Sequence, residues 1–134
     1  MFRTYLSSTG ANQVQKAINQ LSSAAREAMK SEFRHLAVSP RAEWRRPRAA
    51  QLKGYENLVE IIFKADKVQW RAVGFHGPSA LQFTITALCT HKANVYAPQD
   101  ALDTAARRKR EVQSGQASTA SLQVDGEDYP PLPE

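Results

Sequence analysis

The sequence predicts an α+β fold in which a small antiparallel sheet of about four strands packs against an N-terminal helix or helical hairpin and a C-terminal helix. Three observations lead to this prediction: an apolar stripe with helical spacing, a middle region of alternating or apolar segments, and a final segment with helix-capping charges. With 134 residues the chain has the usual size of one domain.

The sequence of the N-terminal third predicts a strand followed by helical structure. Residues 2–6 alternate apolar and polar β-formers. Apolar residues then recur at steps of three and four, as they do on one face of a helix: Val14, Ile18, Leu21, Ala25, Met29, Phe33 and Leu36. Ser22 and Ser23 form helix weakly, so one long helix and a helical hairpin both remain open. Pro40 ends the helical pattern.

The middle of the chain predicts an antiparallel meander. A basic segment with Pro47, residues 41–53, is expected to be an exposed connector. Strands are then expected over residues 58–64, 68–75 and 81–89. The segments between these strands are short and rich in turn residues, which favours hairpin connections.

The C-terminal part predicts a helix followed by a disordered tail. Pro98 suits the first turn of a helix, and the basic run over residues 107–110 suits its negative end. Residues 113–134 contain no Lys or Arg but contain four acids, namely Asp125, Glu127, Asp128 and Glu134. Because apolar residues are sparse there, we expect one domain over residues 1–112 and a disordered acidic tail over residues 113–134.

Charge and composition favour a nucleic-acid partner. All 18 Lys and Arg residues precede Gln113, so the net charge of +5 understates the positive charge of the domain. The N-terminus resembles no signal sequence and no apolar run suits a membrane helix, so we expect a cytoplasmic protein. Cys89 is alone, which argues against a disulfide or a zinc site, and we expect it to be reduced and half-buried.

Five short motifs follow one another along residues 50–112. They are Leu52-Lys53-Gly54, Glu60-Ile61-Ile62, Trp70-Arg71-Ala72-Val73, Cys89-Thr90-His91-Lys92, and Pro98 followed by the basic helix. In order and spacing they resemble the RelE/HigB toxin superfamily, in particular its phage-derived branch. Two positions differ from that pattern: Ile62 stands where an arginine is usual, and His91 where a lysine is usual.

The resemblance implies a RelE-like fold and a ribosome-dependent mRNA endonuclease of a type II toxin–antitoxin or phage-related system. Its implied partners are mRNA on the ribosome and a cognate antitoxin protein. Such enzymes typically cleave RNA without a metal or cofactor, using clustered lysines and arginines with histidine or tyrosine in some branches.

The candidate catalytic residues are Lys53, Arg71, His91 and Lys92. The fork of Arg71 matches a scissile phosphate, although a salt bridge to Glu60 or plain exposure would also explain a mid-strand arginine. His91 could transfer protons near neutral pH, with Lys92 as a phosphate contact. Simple solvation is the alternative for His91 and Lys53.

The candidate RNA-binding residues are Arg45, Arg46, Arg48, Tyr55 and Tyr96. The arginines would suit contacts with ribosomal RNA phosphates, and the tyrosines would suit stacking on unpaired bases. Solvated surface is the alternative for the arginines, and covering the edge of the core is the alternative for the tyrosines.

Two further functions compete with the endonuclease. A catalytically impaired phage or prophage protein of the same fold could bind RNA or a protein, and Ile62 is its best support. A plain DNA-binding module is the third possibility, and it ranks last because the sequence has no helix-turn-helix signature.

Overall fold

The computed structural model describes all 134 residues, and its N-terminal apolar stripe folds as two helices. After β1 (Phe2–Leu6), α1 spans Gln13–Asn19 and α2 spans Ser23–Ala37. Ser22 starts the second helix, because its hydroxyl accepts a hydrogen bond from the Ala25 amide at 3.1 Å. Of the two arrangements that the sequence left open, the hairpin is therefore the one found.

The remaining elements are a 3-10 helix, three long strands, three short strands and one further α-helix. They are a 3-10 helix (Arg41–Glu43), β2 (Ala49–Gln51), β3 (Val59–Ala65), β4 (Val68–His76), β5 (Phe83–Lys92), β6 (Val95–Ala97), α3 (Ala101–Gln113) and β7 (Ser118–Ser121). Two-residue turns with positive φ connect β3 to β4 and β5 to β6, as tight hairpins require. None of the α-helices has both the length and the apolar character needed to cross a membrane.

The sheet is larger than the sequence predicted, and it is mixed. Its seven strands run in the order β2-β3-β4-β5-β1-β7, with β6 paired to β5. β1 is parallel to β5, whereas the other pairs are antiparallel. The prediction of a small RelE-like antiparallel sheet of about four strands was therefore wrong. The additional strands β2, β6 and β7 have three or four residues, too few for a recognisable alternation.

The C-terminal segment is part of the folded body, so the expected disordered tail over residues 113–134 was also wrong. β7 pairs with β1, and four later side chains lie buried in the main core: Leu122, Val124, Tyr129 and Leu132. Asp125 lies 2.9 Å from Lys30 Nζ on α2, and Glu127 lies 2.5 Å from Arg34 Nε. Two of the four acids that suggested a solvated tail thus pair with the basic face of α2.

The sheet buries side chains on both faces. Ala72 belongs to the main core with Met29 and Phe33 of α2, whereas the next residue, Val73, packs with Ala105 of α3. Since neighbouring strand residues point to opposite faces, α2 and α3 cover opposite sides of the sheet. Cys89 is only 2 % exposed, on the side of α3, so it is fully buried and not half-buried.

Substitutions of Tyr129 test whether the C-terminal segment is part of the core. Its ring meets Phe2 edge-on at 5.3 Å, and its hydroxyl is buried without a hydrogen-bond partner. We expect Tyr129→Ala to lower the free energy of unfolding by about 3 kcal/mol, because a large buried side chain is removed. Tyr129→Phe should be neutral or stabilising, because it removes an unsatisfied hydroxyl. Urea unfolding measures both, and an Ala variant as stable as wild type would contradict the packing.

His76 should make the fold sensitive to mild acid. Its ring lies 4.6 Å from Trp44 and 5.1 Å from Phe83, and burial, followed by the charge of Arg41, lowers its pKa to about 4. The unfolded chain takes up the His76 proton near pH 6.5, whereas the folded chain does so only near pH 4. Stability is therefore lost as the pH falls from about 6.5 towards about 4.

Thermal unfolding between pH 8 and pH 4 measures this loss. Because the ring is partly exposed, we expect it to be on the order of 1 kcal/mol. His76→Gln is the control, because its stability should change less over that interval. Parallel curves for the two proteins would mean that His76 does not couple pH to folding.

Candidate functional site

Four polar side chains meet on the α3 side of the sheet, contributed by β3, β4, β5 and β6. Strand register brings them together, because Arg71 lies between Ile62 of β3 and Cys89 of β5, and His91 pairs with Tyr96 of β6. We call Glu60, Arg71, His91 and Tyr96 the polar cluster.

The polar cluster is connected through Glu60 and Arg71. Tyr96 donates its hydroxyl proton to Glu60 Oε2 at 2.7 Å, and Arg71 Nε lies 3.5 Å from the same oxygen. Arg71 NH2 contacts His91 Nδ1 at 3.2 Å and donates to Gln69 Oε1 at 3.1 Å. The rings of His91 and Tyr96 lie 4.5 Å apart, which closes the group.

Arg71 retains unused hydrogen-bonding capacity in a buried position. Its side chain is 6 % exposed and that of Glu60 is 3 % exposed, which makes them a buried ion pair. Neither Nε nor NH1 of Arg71 makes a hydrogen bond. Nε already faces the Glu60 carboxylate, so NH1 is the donor of this guanidinium group that has no anionic partner.

The contact with Arg71 defines the proton arrangement on His91. A guanidinium group has only donors, so Nδ1 of His91 accepts in the contact at 3.2 Å. In the neutral ring the proton then lies on Nε2, which is available as a donor.

Burial suppresses ionisation of the two neighbouring weak acids. Burial, then the hydrogen bond and charge of Glu60, raise the pKa of Tyr96, so its hydroxyl stays protonated at neutral pH. Burial, then the charge of Glu60, raise the pKa of Cys89 to about 12. Tyr96 is therefore a hydrogen-bond donor here, and Cys89 is not an activated nucleophile.

A basic groove of about 660 Å³ opens beside the polar cluster, at the β3–β4 and β5–β6 hairpins. Exposed lysines line it on both sides, namely Lys64, Lys67 and Lys92. Gln69 and His91 belong to its wall and also contact Arg71. The groove is thus separated from the buried guanidinium group by Gln69 and His91, which contact both.

No protein family, curated protein or solved structure matches the chain.

Three of the four candidate catalytic residues lie in the polar cluster or the basic groove, namely Arg71, His91 and Lys92. The fourth, Lys53, belongs to neither. Lys53 is exposed in the loop between β2 and β3 and makes no ion pair or side-chain hydrogen bond. That loop is held against α3, because Tyr55 donates to Asp103 at 2.7 Å and Lys109 donates to the Glu56 carbonyl. The stacking role predicted for Tyr55 remains a prediction.

Of the candidate RNA-binding arginines, Arg48 lies beside β3, because its carbonyl accepts from the Ile62 amide at 2.8 Å. Trp44, just before Arg45, packs against His76 and Phe83 at the end of the sheet opposite the basic groove. Arg45 and Arg46 are exposed, whereas Arg48 forms an ion pair with Glu32 at 2.8 Å. Two of the three guanidinium groups are therefore free for a partner.

Glu60 and the groove lysines of the β3–β4 hairpin were missed as site residues. Glu60 is the one charged residue in the run Leu58–Phe63, and that isolation was a usable signal. The structure contains no group of three or more His, Cys, Asp or Glu side chains placed to hold a metal ion.

Removing Arg71 should expose how much the fold depends on the buried ion pair. We expect Arg71→Met to lower the free energy of unfolding by roughly 3 kcal/mol, because Glu60 is left buried without its cation. Adding Glu60→Gln to Arg71→Met should restore much of that loss, since no buried charge remains. Urea unfolding of the wild type, both single variants and the double variant gives the coupling energy. Additive effects would show that the two charges do not interact.

Proposed function

We propose that the chain is a metal-independent endoribonuclease that cleaves mRNA on the ribosome, as the toxin of a type II toxin–antitoxin or phage-related system in the cytoplasm. One observation supports this most: a buried arginine with unsatisfied donors lies beside a histidine, a protonated tyrosine and a lysine-lined groove. The proposal includes membership of the RelE/HigB superfamily, on the motifs of residues 50–112.

Cleavage of RNA without a metal needs a proton acceptor, a proton donor and charge neutralisation at phosphorus. The 2′-oxygen forms a bond to phosphorus, the bond to the 5′-oxygen breaks, and a 2′,3′-cyclic phosphate results. In this proposal the guanidinium group of Arg71 and the ammonium group of Lys92 neutralise the phosphorane-like transition state.

The proton transfers fall to His91, because Tyr96 already donates its only hydroxyl proton to Glu60. The proton of the 2′-hydroxyl must leave as the attack begins, and another must reach the 5′-oxygen as it departs. In this proposal the bound phosphate draws NH2 of Arg71 away from Nδ1 of His91, Nδ1 accepts the proton of the 2′-hydroxyl, and the ring then returns a proton to the departing 5′-oxygen. Lys53 would join His91 only if RNA or the ribosome draws its loop inward.

The proposed partners follow from the distribution of charge. The exposed cations around the groove and at Arg45 and Arg46 suit the phosphates of mRNA and ribosomal RNA. A cognate antitoxin that neutralises the same surface would be acidic where it contacts it.

A second candidate is a catalytically impaired protein of the same origin that binds RNA or a protein. The observation that favours it is the Glu60–Arg71 ion pair at 3.5 Å, because a guanidinium held by a carboxylate is less available to phosphate. Ile62, directly opposite Arg71, adds no second cation.

Ribosomes programmed with a defined mRNA test the endonuclease. Wild-type protein should cut in the A site, and Arg71→Lys should cut on the order of a hundredfold more slowly, because the charge stays while the fork is lost. Arg110→Lys, a change at an exposed arginine of α3, is the matched control and should cut normally.

The outcome also decides between the two candidates. If wild type does not cut and does not slow growth on induced expression, the endonuclease proposal fails. RNA binding without cleavage, combined with some cleavage by Ile62→Arg, would identify an impaired enzyme.

A further inference from the structure

One carboxylate oxygen of Glu60 contacts two other side chains of the polar cluster. Its Oε2 accepts the Tyr96 hydroxyl at 2.7 Å and lies 3.5 Å from Arg71 Nε. The residue is 2 % exposed, in a strand segment whose neighbours Val59 and Ile61 are buried and apolar. Glu60 opens the second of the five motifs, but beyond an ion pair with Arg71 it has been assigned no role, and it is not among the proposed catalytic residues.

A buried carboxylate in that position needs an explanation. Burying a charge is unfavourable unless partners compensate it, and an apolar side chain would fill the same space without that penalty. Arg71 compensates Glu60 only through its Nε edge, since NH1 makes no hydrogen bond and NH2 contacts Gln69 and His91. The ion pair and the NH2 contacts together orient the guanidinium group toward Gln69 and His91, which line the basic groove.

We propose that Glu60 is a positioning residue: it holds the Nε edge of Arg71 and the hydroxyl of Tyr96 so that the guanidinium group of Arg71 points toward Gln69 and His91 at the wall of the basic groove, where it meets the phosphate of bound single-stranded RNA. This inference rests on the proposed function for the identity of the ligand. Glu60 itself does not contact the RNA.

The arrangement has an unusual consequence for binding and rate. A carboxylate 3.5 Å from Arg71 opposes the approach of a phosphate, so its charge weakens RNA binding. The same carboxylate orients Arg71 and Tyr96, so it should accelerate the chemical step. Removing the charge while keeping the shape should thus tighten binding and slow cleavage, a separation that a purely structural role would not produce.

RNA binding is measured first, with a single-stranded 2′-O-methyl oligoribonucleotide that cannot be cleaved. At low salt we expect Glu60→Gln to bind about fivefold more tightly than wild type, because one negative charge near Arg71 is gone. Glu27→Gln, which removes a charge from an exposed position on α2, should bind within about twofold of wild type.

Cleavage is then measured in single turnover on ribosomes saturated with protein. We expect Glu60→Gln to be slower by about tenfold or more, since the donors are no longer aligned. Glu60→Asp keeps the charge but shortens the side chain, so it should bind RNA like wild type and still cleave more slowly. Glu60→Asp also serves if Glu60→Gln proves too unstable to purify.

Each outcome has a defined meaning. Tighter binding with slower cleavage supports the inference, and so does normal binding with slower cleavage in Glu60→Asp. The inference is overturned if RNA binding and cleavage are unchanged in both variants, or if both activities fall only in proportion to the fraction of protein that is folded. It is also overturned if none of the proteins binds RNA. If wild type binds but does not cleave, while Glu60→Gln binds more tightly, the proposed nuclease function fails and the placement of Arg71 for an anion stands.

Discussion

The parallel pairing of β1 with β5 is the contact on which the rest of the architecture depends. β1 lies between β5 and β7, so a single strand joins the antiparallel meander to the C-terminal segment. Its Phe2 stacks on Phe33 of α2 at 4.5 Å and meets Tyr129 edge-on at 5.3 Å. Without β1, both β5 and β7 would present unpaired edges, and the aromatic centre of the core would be lost.

The position of α3 explains where a polar site can exist on the sheet. Ala101 and Ala105 cover the sheet at Val73 and Ala87, which lie opposite each other on β4 and β5. Arg71 is two residues further along β4 on the same face, next to the wall of the basic groove. The helix thus buries one part of this face, while the adjoining part, which it leaves uncovered, carries the charged and titratable side chains.

The sequence predicted those parts of the fold that have strong local signals. The three central strands could be predicted because each alternates or is apolar over at least seven residues and is bounded by turn residues. Strands as short as β6, and the parallel pairing of β1, depend on contacts between distant residues and leave no periodic pattern. In the C-terminal segment, isolated apolar residues such as Leu132 are buried by partners that the local composition does not reveal.

Site residues, too, could be predicted where the local sequence carries a signal, and could not where they depend on contacts between distant residues. Arg71 could be selected because a charge in an apolar strand must have a partner, and Glu60 had been weighed only as that partner. The contact of Glu60 with Tyr96 could not be found, because it needs β6 to fold back on β5 through a turn at Ala93 and Asn94.

Ile62 shows why the buried ion pair is consistent with both a structural and a catalytic role. It lies opposite Arg71, at the position where an arginine is usual in the family that the motifs resemble. A second cation there would compete for Glu60 and would repel Arg71, whereas an apolar side chain lowers the local polarity and strengthens the remaining attraction. Glu60 therefore pairs with one edge of Arg71, while NH1 has no hydrogen-bond partner. In the proposed reaction, a single arginine oriented in this way would supply the charge at phosphorus that two less restrained arginines would otherwise share.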